Sequence, residues 1–234
     1  MTHVSHPYGQ RLGIIRDWKS RWYGTGKAQY RDFLRADTLI RDYLKKRLKG
    51  MYVAGIEIER SDTVMRIIIK TSRPGMVIGR QGEGAQRIRR DVDRKLRSAG
   101  LADLQEVKID IEEVRNPESN AAIVAQMCAE GLEKRMPFRR VLKQTVEKVM
   151  ANRDVLGVRI AMSGRLGGAE MSRKEEIKRG QVPLQTLRAD VDFARVEAYI
   201  PYAGLVGIKV YIYRGEVFED ETRKQIAQNQ AQQL

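Results

Sequence analysis

Val77-Ile78-Gly79-Arg80-Gln81-Gly82 is the stretch whose reading decides the fold. Glycines at both ends of the last four residues let the backbone turn sharply and let another molecule approach without side-chain obstruction. Upstream, Pro74-Gly75 breaks a strand pattern. Downstream, Ala85, Ile88, Val92, Leu96 and Ala99 recur at spacings of three and four, the period of one helix face. The loop therefore opens a helix, and its free N–H groups and the positive end of the dipole suit an anion. Taken alone the signal is weak, because two glycines three apart arise often by chance. The same residues also suit a plain turn into a helix with a solvated arginine face.

The flanking pattern gives the loop its context. Asp37 reads as an N-cap and Gly50 as a helix stop, with Leu39, Ile40, Tyr43, Leu44 and Leu48 between them. Two strands follow: Ile56 and Ile58 alternate with Glu57 and Glu59, and a second run extends from Thr63 to Lys70 across a Ser61-Asp62 turn. After the loop and its helix comes a strand in which Val107, Ile109 and Ile111 face one way. The order α-β-β-α-α-β across residues 37–115 resembles a type II KH domain. KH loops clamp about four nucleotides of single-stranded backbone. The resemblance implies RNA contacts at Gly79, Arg80, Gln81 and Gly82, backed by Arg87 and Arg90 among the arginines of the following helix.

Asn116-Pro117 marks a boundary, since a residue before proline avoids the helical region. Beyond it, Ala121, Val124, Ala125, Cys128 and Leu132 predict one helix face. Phe138, Val141, Leu142, Thr145 and Val149 predict a second, after a join at Met136-Pro137. A strand over Val155 to Met162, a glycine-rich loop, a strand reaching about Tyr199 and a last strand over Leu205 to Tyr213 complete this half. The fold class is α+β: a KH domain, then a second α+β domain with two helices packed on a small sheet. The expected division is a basic, aromatic N-terminal arm over 1–36, the KH domain over 37–115, the second domain over 116–217 and a disordered polar tail over 218–234. The arm holds both tryptophans, Trp18 and Trp22, and reads as an extended segment that gains order on a partner. Packing of those tryptophans on the following domain stays equally open.

Of 234 residues, 44 are Lys or Arg and 30 are Asp or Glu, a formal net charge of +14. Such an excess repels itself unless a polyanion neutralises it, and nucleic acid is the first candidate. An anionic membrane is weaker: no stretch is long and apolar enough to span, and the N-terminus has no signal-peptide core. The one cysteine, Cys128, excludes an intrachain disulfide and fits a reducing cytoplasm.

Larger blocks narrow the field. His6-Pro7-Tyr8-Gly9-Gln10-Arg11-Leu12-Gly13-Ile14, Trp18-Lys19-Ser20-Arg21-Trp22-Tyr23 and Thr71 to Gly79 lie in the first half. Ser163-Gly164-Arg165-Leu166-Gly167-Gly168-Ala169-Glu170 and Pro183-Leu184-Gln185-Thr186-Leu187-Arg188-Ala189-Asp190 lie in the second. In this order they resemble the bacterial-type small-subunit ribosomal protein S-three family over roughly residues 4–217, departing from it at Thr2 to Ser5. The resemblance implies a protein in the head of the small subunit that binds small-subunit ribosomal RNA. It implies proteins S-ten and S-fourteen as neighbours, and with S-four and S-five a lining for the channel by which messenger RNA enters. Arg139, Arg140 and Lys143 match the family's residues in that channel. Independently, Arg135, Arg139 and Lys143 are spaced by four, as on one helix face, where Glu147 offers a plain ion pair instead. Candidate ribosomal RNA contacts are Arg11, Arg16, Lys19, Arg21 and Trp22 in the arm, with Arg165 and Gly167 in the glycine loop.

Two rivals remain. A metal-dependent nuclease would use Asp110 and Glu112, but alternation on a strand puts them on one face without any catalytic cause, and no His or Cys cluster joins them. A KH-containing transcription or ribosome-biogenesis factor would carry a further barrel or GTPase domain. No phosphate-loop or dinucleotide fingerprint is present, because G-R-Q-G-E-G has the wrong order. The sequence therefore predicts no enzyme, no cofactor and no metal.

Overall fold

The computed structural model describes residues 5–61, 63–101, 106–201 and 203–218. In the first half the elements are α1 (Pro7–Gln10), β1 (Ser20–Arg21), α2 (Lys27–Arg47), β2 (Val53–Arg60), β3 (Val64–Thr71), α3 (Pro74–Ile78), α4 (Glu83–Ser98) and β4 (Glu106–Glu113). The second half holds α5 (Ala121–Glu133), α6 (Phe138–Met150), β5 (Gly157–Gly164), β6 (Arg173–Gly180), β7 (Ala189–Ile200) and β8 (Gly204–Glu216). The chain divides into two compact units. One runs from Trp18 to Pro117; the other joins the segment up to Asp17 to the chain from Glu118 onward.

In the first unit, β2 and β3 are antiparallel, β3 and β4 parallel, in the order β1-β2-β3-β4. β3 sits in the middle, so Met65, Ile67 and Ile69 are fully buried under Ile40 and Leu44 of α2 and Ile88 and Val92 of α4. The other face of this sheet is a ladder of ion pairs. Arg21 meets Glu57 at 3.2 Å and Glu59 at 2.6 Å, Lys70 meets Glu57 at 2.7 Å and Arg66 meets Asp110 at 2.7 Å. Opposite charges on neighbouring strands are what an exposed sheet face tolerates best. The α-β-β-α-α-β order expected of a type II KH domain is present.

In the second unit a separate antiparallel sheet has the order β6-β5-β8-β7. Its apolar face, with Val158, Ile160, Met162, Ile208, Val210 and Ile212, lies under α5 and α6. Asn120 caps α5, its side chain accepting from the N–H groups of Ala122 and Ile123. Every α5 residue expected to be buried is buried. Cys128 is among them, and burial pushes its thiol up to about 11, beyond ordinary thiolate chemistry.

Three features depart from the sequence reading. First, α2 begins at Lys27, so Asp37 is no N-cap but an interior residue with almost no exposure. Its carboxylate accepts from Arg60 (2.5 Å), from Ser20 Oγ (2.9 Å) and from Trp22 Nε1 (2.9 Å). A buried carboxylate persists only with such partners. Second, β6 reads Arg-Lys-Glu-Glu-Ile-Lys-Arg-Gly, with a single apolar residue, and was not expected as a strand. It is an edge strand, and charged residues protect edges from unwanted pairing. Third, the arm expected over 1–36 is divided between the two units. Ser20 and Arg21 pair in parallel with Ile58 and Glu59, while α1 packs near β7. The Asp62 half of the expected hairpin turn, residues 1–4 and the tail from Glu219 lie outside the described residues.

Arg11 anchors the N-terminal segment in the second unit. Its guanidinium is fully buried and donates to the carbonyls of Ala189 (2.6 Å), Pro7 (3.0 Å), Pro183 (3.3 Å), Leu184 (3.0 Å) and Thr186 (2.8 Å). Arg11→Met keeps an unbranched stem out to the position of Nε but leaves these carbonyls without their donor. We expect it to destabilise this unit by about 3 kcal/mol, read as an earlier urea transition with the KH unit unchanged. Equal midpoints for Arg11→Met and the parent would contradict the anchoring role.

Candidate nucleic-acid interface

The loop turns through left-handed backbone: Gly79 has φ +71°, Gln81 +50° and Gly82 +81°. Gly82 needs its freedom for that angle alone, since a Cβ there would meet nothing. Gly84, two residues beyond the motif, is glycine for a different reason. A Cβ at Gly84 would collide with the Val77 carbonyl oxygen and lie 2.8 Å from that of Ile78. The end of α3 and the first turn of α4 therefore meet backbone to backbone. This contact holds the loop out as a ridge, with the start of α4 uncapped by any side chain. Sequence reasoning missed Gly84, although the third glycine of G-R-Q-G-E-G was visible.

Arg80 and Gln81 stand exposed on the ridge, and Arg87 and Arg90 are exposed on α4 behind it. Arg87 pairs loosely with Glu83 at 3.3 Å, and Arg90 Nε leans on the Gln86 carbonyl at 3.4 Å. Phosphate contacts can replace both at small cost, because exposed pairs of this kind contribute little. Asp110 and Glu112, weighed above for a metal site, instead face Arg66 at 2.7 Å and Lys70 at 3.8 Å.

In the second unit Arg139, Arg140 and Lys143 are all exposed on α6. Arg135 does not continue their row. It lies before the helix with φ +62°, so the helical face begins at Arg139. Arg139 reaches Glu175 of β6 at 3.4 Å rather than a partner on its own helix. The guanidiniums of Arg139 and Arg173 each lie 5.6 Å from the Phe138 ring centre. The glycine loop meets the same ring: a Cβ on Gly167 (φ +72°) would sit 3.8 Å from Phe138. Arg165, exposed in that loop, donates to the Ala169 carbonyl at 2.9 Å. Phe138 thus gathers into one basic patch two candidate groups that the sequence shows only as separate blocks.

The arm candidates fare differently. Arg11 is enclosed, so in this conformation it ties down its own segment and does not face RNA. Arg16 pairs with Asp190 at 2.5 Å, Arg21 with Glu57 and Glu59, and Trp22 packs tilted against Tyr30 and edge-to-face with Phe33 while donating to Asp37. Lys19 is exposed, and its carbonyl accepts from Arg41 at 2.8 Å.

Gly84→Ala tests whether the backbone contact sets the ridge. We expect it to destabilise the KH unit by about 2–3 kcal/mol and to weaken RNA binding in the fraction that folds, as measured by thermal melts and anisotropy. A variant with parental stability and affinity would show that the approach can relax freely.

Two family models match the chain: "KH domain" over residues 39–119 and "Ribosomal protein S3, C-terminal domain" over residues 128–212. Similar proteins include the small ribosomal subunit protein uS3 of Alcanivorax borkumensis, 46% identical over 231 residues, which span 99% of this chain and 96% of that one. The uS3 of Ectopseudomonas mendocina is 44% identical across 96% of this chain and 94% of its own. For the uS3 of Desulfosudis oleivorans the identity is 44%, across 96% of this chain and all of that protein. Matches of this extent in both units place the chain in the ribosomal protein S3 family.

Proposed function

We propose that this protein binds small-subunit ribosomal RNA as part of the small ribosomal subunit in the cytoplasm, and that its α6 surface faces incoming messenger RNA. Its relatives are named as small ribosomal subunit proteins, a family of ribosomal components and not of enzymes. Proteins S-ten and S-fourteen are its neighbours in the head under this reading, with S-four and S-five around the messenger channel. The carrying observation is the pair of exposed basic surfaces, the loop ridge with Arg80 and α6 with Arg139, Arg140 and Lys143, each on a rigid packed element.

The chemistry at both surfaces is phosphate binding without bond breaking. At the ridge, glycine backbone, the open start of α4 and Arg80 accept a bent single strand. On α6, three cations spaced along one helix hold a strand by its phosphates. Holding the strand that way favours single-stranded over paired message.

RNA affinity of the isolated protein should fall log-linearly with salt. Arg80→Asp with Gln81→Asp should weaken binding of single strands at least tenfold with the fold intact, since Asp also tolerates the left-handed backbone at position 81. Filter binding across a salt series checks this, and unchanged affinity would move the RNA site away from the ridge. For α6, Arg139→Ala, Arg140→Ala and Lys143→Ala together should cost at most about 1 kcal/mol of stability, the Glu175 pair being exposed. Subunits carrying the triple variant should translate hairpin-containing messages more slowly than unstructured ones in a reconstituted assay. Equal slowing, or failure to assemble, would assign these residues to ribosomal RNA packing instead.

A further inference from the structure

Behind the ridge lies an open pocket of about 270 Å³ lined by the end of α2, by α3 and by the first turns of α4. Its floor is apolar, formed by Leu48, Val77 and Ile88, all buried. Two thioethers flank it, Met51 and Met76, and Met76 is 51% exposed, unusual for so large an apolar side chain. The mouth carries Arg47, Arg80 and Arg87 together with one carboxylate, Glu83. No strand residue lines it. A nucleotide in this pocket would sit on the α2 side of the loop.

We propose that this pocket takes one guanine base of the RNA strand held on the ridge, an inference that rests on the RNA-binding reading above. The volume is just under the roughly 300–1,000 Å³ of pockets for drug-sized ligands, enough to admit a base. A flat aromatic ring suits the apolar side chains of Leu48, Val77 and Ile88, and methionine sulfur packs favourably on ring edges. The mouth selects among bases by its donors and acceptors. Guanine presents two adjacent acceptors, O6 and N7, which an arginine fork matches bidentately. It also presents two adjacent donors, N1–H and the N2 amino group, which match one carboxylate. Adenine offers a donor and an acceptor where guanine offers O6 and N7, and uracil has a single ring N–H. Arg47 with Glu83 is therefore a guanine set. The Glu83–Arg87 pair at 3.3 Å is exposed and opens at little cost. Arg80 belongs to both features, so the phosphate of the same nucleotide stays on the ridge while its base turns behind it.

The test uses the full chain and labelled RNA pentamers: five uridines, or four uridines around a central guanosine, inosine or adenosine. The guanosine pentamer should bind about tenfold more tightly than the uridine pentamer. Inosine, lacking the N2 amino group, should fall between them, and adenosine should match uridine. With ¹³C-methyl methionine, the guanosine pentamer alone should shift the Met51 and Met76 methyl signals. Arg47→Ala and Glu83→Ala lie outside the ridge, and each should bring the guanosine-to-uridine ratio close to one while uridine binding changes little. Equal affinity of the parent protein for all pentamers, or a ratio that survives both substitutions, overturns the pocket and leaves the ridge standing. A parent protein that binds none of the pentamers overturns both.

Discussion

A loop can offer its backbone to a polyanion only if its two ends are held still, and here Gly84 does the holding. The carbonyls of Val77 and Ile78 lie where any other residue at position 84 would place its Cβ. That contact fixes the angle between α3 and α4, which in turn fixes the left-handed path through Gly79, Gln81 and Gly82. The close approach of α3 to α4 depends on the missing methyl group at position 84, and the open start of α4 on Gly82, which has no side chain to cap it. The buried strand β3 supplies the platform: three consecutive inward residues pin the sheet beneath both helices.

Charge is distributed by the same logic. With a net charge of +14, the chain uses its carboxylates where structure needs them. Glu57, Glu59 and Asp110 neutralise the open face of the KH sheet. Asp37 holds β1 and α2 together, and Glu175 and Glu176 settle the arginines and lysine around the β6 edge. Among the exposed cations are Arg80 on the ridge and Arg140 and Lys143 on α6. Under the proposed function, an RNA backbone relieves the self-repulsion at those places.

Features with short-range causes were legible in the sequence. The faces of α4, α5 and α6 followed from spacings of three and four, and the G-x-x-G turn followed from its glycines. Features set by distant partners were not. Arg11 reads as an RNA contact until its carbonyl partner at Ala189, 178 positions away, encloses it. Asp37 has the sequence signature of a cap, yet Ser20, Trp22 and Arg60 convert it to an interior anchor. β6 lacks alternation because an edge strand with charged neighbours needs none, and β1 is too short to show any. Arg135 has the right spacing for the α6 row but falls on the wrong side of Pro137, where the chain is still turning.

The ridge and α6 are the surfaces proposed to touch RNA. Ultraviolet crosslinking within assembled small subunits, with peptide and nucleotide both identified, reads this directly. Crosslinks should concentrate in the peptides carrying Gly79 to Gly82 and Arg139 to Lys143, with none at Arg11. Crosslinks confined to the charged face of the KH sheet, with the ridge and α6 bare, would contradict it.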